Sequence, residues 1–69
     1  MRKLRARVPV GKAYSVREVK LYTKDEARQI LEGKDWAVGK DIYSSYDIKK
    51  RIGIAVRIIG NGGVIYIEA

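Results

Sequence analysis

The chain has 69 residues, enough for one domain with a thin core, and it contains neither cysteine nor histidine. Disulfides, thiolate metal sites and ordinary zinc chemistry are therefore excluded, and we expect no cofactor and no metal. The formal net charge is +7: residues 1–20 carry +6, residues 21–48 carry −2 and residues 49–69 carry +3. Two basic segments that flank an acidic one indicate a surface that faces a polyanion.

Targeting signals and membrane spans are missing from the sequence pattern. No apolar run follows the first basic residues, and no segment approaches the roughly 18 apolar residues of a membrane span. We therefore expect a cytoplasmic protein with no membrane partner and no small-molecule substrate. One Asn, one Gln, one Met and 33% charged residues are typical of a thermophilic source.

Residues 2–10 alternate with a period of two. Leu4, Ala6, Val8 and Val10 share one face, and Lys3, Arg5 and Arg7 share the other. This pattern predicts a strand with one apolar and one cationic face. Pro9 has no N–H to donate, so we place it at the strand end or on a sheet edge, followed by a turn at Gly11 and Lys12.

Residues 14–22 fit two structures. Val19 and Leu21 alternate with polar neighbours, as in a strand that pairs with residues 2–10. Ser15 and Glu18 have the spacing of a capping box, which would begin a helical turn. We favour the strand, because β-branched and aromatic residues are frequent here.

A helix over Lys24–Glu32 is predicted by signals at both ends. Thr23 and Glu26 form a capping box, and acidic residues in the first turn offset the helix dipole. Gly33 ends the helix. The following residues 34–43 have no clear pattern, and we expect Trp36 to anchor the core because an indole buries a large area.

A second helix is predicted over Ser45–Ile52. Ser44 or Ser45 can cap it, Asp47 lies in the first turn, and Gly53 ends it. The segment Lys49-Lys50-Arg51 fills the last turn, where cations offset the dipole.

The C-terminal segment predicts a β-hairpin of Ile54–Ile59 and Val64–Glu68 around the loop Gly60–Gly63. Both faces are rather apolar, so the hairpin is expected at the centre of a sheet, or between helices and a second subunit. The predicted fold is one small α+β domain. It has a mainly antiparallel sheet of three to five strands, two short helices and this hairpin.

The cationic face of the first strand is the strongest candidate site. Lys3, Arg5 and Arg7 would recur about 7 Å apart, close to the spacing of phosphates along an extended nucleic-acid strand, roughly 6–7 Å. Arginine also suits bidentate contacts with phosphate or guanine. The competing interpretations are a solvated sheet edge that charge protects from aggregation, and a surface for an acidic protein.

Lys49, Lys50 and Arg51 form a second basic patch, which helix-dipole compensation alone also explains. A basic helix followed by a hairpin has the order of a winged-helix arrangement, in which the helix enters the major groove. The spacing between the helices is too long for a helix-turn-helix, and Gly60–Gly63 carries no basic residue. A β-ribbon reader built on residues 2–10 is the competing arrangement.

Three further features have simpler explanations. The loop Gly60–Gly63 lacks the Lys-Ser/Thr of a phosphate loop and precedes a strand, so we interpret it as a turn. Five tyrosines could stack on bases, although partial burial in a thin core explains them better. A metal-dependent nuclease on Asp35, Asp41 and Glu68 is weakly supported, so we predict that the protein is not an enzyme.

Together these patterns predict a small basic DNA-binding protein, a transcriptional regulator or architectural factor that forms a homodimer on double-stranded DNA. The predicted contact residues are Arg2, Lys3, Arg5, Arg7, Lys49, Lys50 and Arg51. RNA is not distinguished from DNA by composition. The alternative is a protein-interaction module, a small inhibitor or assembly factor, that binds its partner through Ile59, Ile65 or Ile67 of the hairpin.

Overall fold

Five strands close into a barrel, and one helix packs on its outside. The structure is a computed structural model that describes residues 2–60 and 63–69. The strands follow the order β1-β2-β5-β4-β3, with β3 closing on β1. The predicted α+β fold with two helices, and with it the winged-helix arrangement, is wrong. The elements are β1 Arg2–Val10, β2 Ala13–Tyr22, α1 Lys24–Leu31, β3 Trp36–Ser44, β4 Arg51–Ile58 and β5 Val64–Glu68.

Strands β1 and β2 form the antiparallel hairpin that the sequence predicts, so the strand was the right choice for residues 14–22. Their pairing runs from Arg2 with Leu21 to Val10 with Ala13, which leaves Gly11 and Lys12 as the two-residue turn. Gly11 has φ of 62°, the conformation that such tight hairpin turns require.

Helix α1 confirms the first helix prediction. The Glu26 backbone N–H donates to Thr23 Oγ1 at 3.2 Å, and the Thr23 N–H donates to Glu26 Oε1 at 3.1 Å. Gly33 follows the helix with φ of 73°. Ala27 and Leu31 are the buried side chains of the helix, and Leu31 packs with residues of β4 and β5 on the outside of the barrel. No helix in the described residues is long and apolar enough to span a membrane.

The second predicted helix, Ser45–Ile52, is wrong. Ser44 Oγ accepts hydrogen bonds from the backbone N–H groups of Tyr46 and Asp47 at 3.1 and 3.3 Å, and Asp47 Oδ1 accepts one from Lys49 at 3.0 Å. These side chains satisfy backbone donors in a turn instead of capping a helix. A helix of two turns is marginal in any case, and the β-branched residues that follow extend into β4.

The unassigned residues 34–43 mostly belong to β3, which carries register shifts between Val38 and Asp41 and between Ile42 and Tyr43. Trp36 does not anchor the core, because 47% of its surface is exposed. Smaller side chains fill the interior instead. The largest of the fully buried ones are Val8, Leu21, Ile42 and Val56.

The C-terminal hairpin is confirmed, since β4 pairs antiparallel with β5. The barrel is closed, so no strand has the central position expected in an open sheet. Asn61 and Gly62 of its loop lie outside the described residues. The two apolar faces are covered by this chain itself: Ala55 packs with the barrel core, and Val56 and Ile65 pack with Leu31 of the helix.

Candidate nucleic-acid interface

The outer face of β1 carries the predicted row of cations. Ala6 and Val8 are buried in the barrel, so Lys3, Arg5 and Arg7, which have the opposite parity, point outward. Lys3 pairs across the hairpin with Lys20. Directly paired residues share a face of the sheet, so β2 adds a fourth cation that the sequence analysis did not include.

Arg2 does not belong to this row. It has the parity of the inner face, and its guanidinium NH2 lies 3.0 Å from Glu68 Oε1 of β5. Arg2, a predicted contact residue, therefore does not share the outer face of β1 with Lys3, Arg5 and Arg7.

Arg51 of the second predicted patch is brought beside the first. Arg7 pairs with Tyr43 of β3, and Tyr43 pairs with Arg51 of β4. With neighbouring strands about 4.8 Å apart, the Cα atoms of Arg7 and Arg51 lie about 10 Å from each other. Arg51 Nε donates to Asp41 Oδ1 at 2.8 Å, which neutralises part of its charge.

Lys49 and Lys50 lie on the exposed turn between β3 and β4. The turn leaves β3 at Ser44, which pairs with Ala6 of β1. The two lysines thus lie in a turn that starts beside the middle of β1, and not on the helix that the sequence predicts.

Two tyrosines lie next to these cations. The rings of Tyr14 on β2 and Tyr43 on β3 meet edge to face, with centroids 5.7 Å apart and planes inclined by 72°. Since β1 runs between β2 and β3, the ring pair bridges the outside of β1 near Arg7. Packing alone does not account for Tyr14 as the sequence predicts, because 44% of its surface is exposed.

These cations and the two tyrosines form one outer surface of the barrel, which we call the basic face. In the described part of the chain, Lys3, Arg5 and Arg7 have no ion pair; Lys3 and Arg5 are exposed and Arg7 is half-buried. Two acids interrupt it: Glu18, which pairs across the hairpin with Arg5, and Asp41. The face comprises Lys3, Arg5, Arg7, Tyr14, Lys20, Tyr43 and Arg51.

The residues of the alternative sites are dispersed or covered. Asp41 is paired with Arg51 and Glu68 with Arg2, and the described residues hold no cluster of three metal-ligating side chains. Of the predicted protein-interface residues, Ile65 is buried under the helix and Ile67 packs beside it, while Ile59 is 60% exposed.

Two cavities lie away from the basic face. A groove of about 460 Å³ runs between α1 and the sheet, with Leu31, Trp36 and Val38 in its apolar wall. A smaller cavity of about 320 Å³ opens between Pro9 and residues 37–40, where β1 and β3 diverge.

Comparison with protein families, with curated proteins and with solved structures finds no match. The fold and the site define a small closed β-barrel with a cationic and aromatic outer face.

Proposed function

We propose that this protein binds nucleic acid, DNA in the first instance, through the basic face. One observation carries the proposal: the barrel places Arg7 and Arg51, from the two separate basic segments of the sequence, in one register row beside Lys3 and Arg5. Lys3, Arg5 and Arg7, which form no ion pair within the described residues, lie on the outside of the sheet, and such a row of cations suits a polyanion.

Binding would proceed by neutralisation of phosphates and release of counterions, which makes the affinity depend steeply on salt. Lys3, Arg5 and Arg7 repeat about every 7 Å along β1 and can each meet a phosphate. Arginine adds two parallel donors for a bidentate contact. Contacts of this kind position the protein on the nucleic acid and carry no sequence information.

Fluorescence anisotropy with a labelled random-sequence duplex, measured over a range of salt concentrations, tests the proposal. The double variant Arg5→Ala/Arg7→Ala should weaken binding, and the slope of log affinity against log salt should fall by about 2, near 0.9 for each lost phosphate contact. Its melting temperature should stay nearly unchanged, because Arg5 is exposed and Arg7 forms no ion pair in the described residues.

The matched control is Arg28→Ala/Lys34→Ala, which lowers the net charge from +7 to +5 as well but removes exposed cations beside the groove under α1. It should retain most of the affinity and the salt slope. If both variants lose the same affinity, the nucleic acid is attracted by the net charge of the protein alone and not by the basic face. A large fall in melting temperature for the Arg5 and Arg7 variant would make these residues structural. If neither the duplex nor a single strand of the same length binds at low salt, the proposal is refuted.

The role as a transcriptional regulator or architectural factor rests on DNA binding and stays a prediction, as do the homodimer, the cytoplasmic location and the lack of enzymatic activity.

A further inference from the structure

The tyrosine pair suggests which form of nucleic acid the basic face takes. We propose that the face binds a single strand, with a base stacked on the Tyr14–Tyr43 ring pair while the neighbouring cations hold the backbone. This inference rests on the proposed function and specifies its ligand.

The first support is the placement of the rings among cations. Tyr43 has Arg7 on one side and Arg51 on the other in the same register row. Tyr14 meets Tyr43 edge to face, so the two rings fix each other's orientation before any ligand arrives. Aromatic side chains beside a cationic track are the arrangement that binds unpaired bases, since every base offers a π face.

The second support is the width of the basic face. It extends over four adjacent strands of the closed barrel, β2, β1, β3 and β4, so it is a convex surface broader than a two-stranded ribbon. The major groove of B-DNA is about 12 Å wide and admits a helix or a two-stranded ribbon. The face can therefore meet a duplex only from outside, where the bases are stacked on each other and cannot reach the rings.

The third support is the spacing along β1. Cations about 7 Å apart along β1 match successive phosphates of an extended strand, roughly 6–7 Å apart, so the spacing is compatible with a single strand. An extended strand that follows β1 would pass the ring pair next to Arg7, with Arg5 and Lys3 farther along.

The experiment compares labelled oligothymidylate with a duplex of the same length by anisotropy, for the wild type and three variants. Tyr14→Leu should weaken binding of the single strand by at least about fivefold and leave duplex binding unchanged. Tyr14→Phe keeps the ring and should bind as the wild type does. Trp36→Leu is the control, because Trp36 is also half-exposed and precedes Tyr43 by seven residues on β3, roughly 20 Å away.

Photo-crosslinking of an oligonucleotide that contains iodouracil gives a second readout, because the reaction favours stacked aromatic residues. Crosslinks at Tyr14 or Tyr43 would support the inference, and crosslinks at Trp36 alone would overturn it. Equal affinity of wild type and Tyr14→Leu for the single strand would also overturn it. If the duplex binds more tightly and the Arg5 and Arg7 variant still loses affinity, this inference fails while the proposed function stands. If neither ligand binds, both fail.

Discussion

Replacing Gly53 by alanine should destabilise the barrel more than any other single-methyl addition to a described strand glycine. Gly53 lies in β4, paired with Ile42 of β3 on one side and with Glu68 of β5 on the other. A Cβ atom there would meet the carbonyl oxygen of Ile67 far inside van der Waals contact, and it would lie 3.4 Å from Leu21 Cδ2. The obstacle is backbone, so no side-chain rotation relieves it.

The expected loss of stability depends on whether the backbone around Gly53 can move to relieve the clash. Since β4 has a partner on each side, Gly53 cannot withdraw without disturbing a ladder, and overpacking of this kind costs about 3 kcal/mol. A domain of this size has a total stability of roughly 3–10 kcal/mol. At about 4–8 °C per kcal/mol for a small domain, the melting temperature should fall by about 12–24 °C.

Thermal unfolding followed by circular dichroism measures the effect, with Gly39→Ala on β3 as the matched control. A Cβ at Gly39 would lie 3.1 Å from the carbonyl oxygen of Ala55, so the backbone there must move by only a few tenths of an ångström, much less than at Gly53, and alanine also restricts the unfolded chain. We expect a change of less than about 1 kcal/mol for this control. Equal melting temperatures for the two variants would refute the close approach of β4 and β5 at Gly53.

Two further changes test the helix cap and the ion pair on the basic face. Thr23→Ala removes the hydrogen-bond acceptor of the capping box and should lower the free energy of unfolding by about 1 kcal/mol, whereas Thr23→Ser should retain most of the stability. An unchanged melting temperature for Thr23→Ala would mean that packing alone stabilises α1. Asp41→Asn frees Arg51 from its half-exposed ion pair and should tighten duplex binding by up to about fivefold. Asp35→Asn makes the same charge change in the loop before β3 and should have a smaller effect, and equal effects would place Arg51 outside the interface.

The elements that sequence analysis found are those specified by neighbouring residues. The alternation of Lys3, Arg5 and Arg7 with apolar residues predicted β1, and Thr23 with Glu26 predicted the start of α1. The same kind of local signal failed at Ser45–Ile52, where Ser44 and Asp47 cap a turn. Capping residues satisfy backbone donors in either structure, so they do not decide between a short helix and a turn.

Closure of the barrel depends on contacts between distant parts of the chain, which a pattern of residues does not reveal. The pairing of Arg7 with Tyr43 is an example: it joins β1 to β3 and creates the basic face. The cations of the site could be found from charge distribution, whereas the role of Tyr14 and Tyr43 could not. The sequence alone does not show whether a tyrosine side chain is exposed or buried, because that depends on the strand order.

The barrel closes along two short seams. Strand β1 meets β3 at two described pairs, starting at Ala6 with Ser44, and β2 meets β5 at two, starting at Leu21 with Tyr66. Between these seams, the β1–β2 hairpin and the three strands β3, β4 and β5 have longer ladders. Openings of low free energy are therefore expected at the seams. Arg7 and Tyr43 form one of the pairs between β1 and β3. A nucleic-acid strand that contacts both residues would therefore hold this seam closed, and the melting temperature of the protein would rise with ligand concentration.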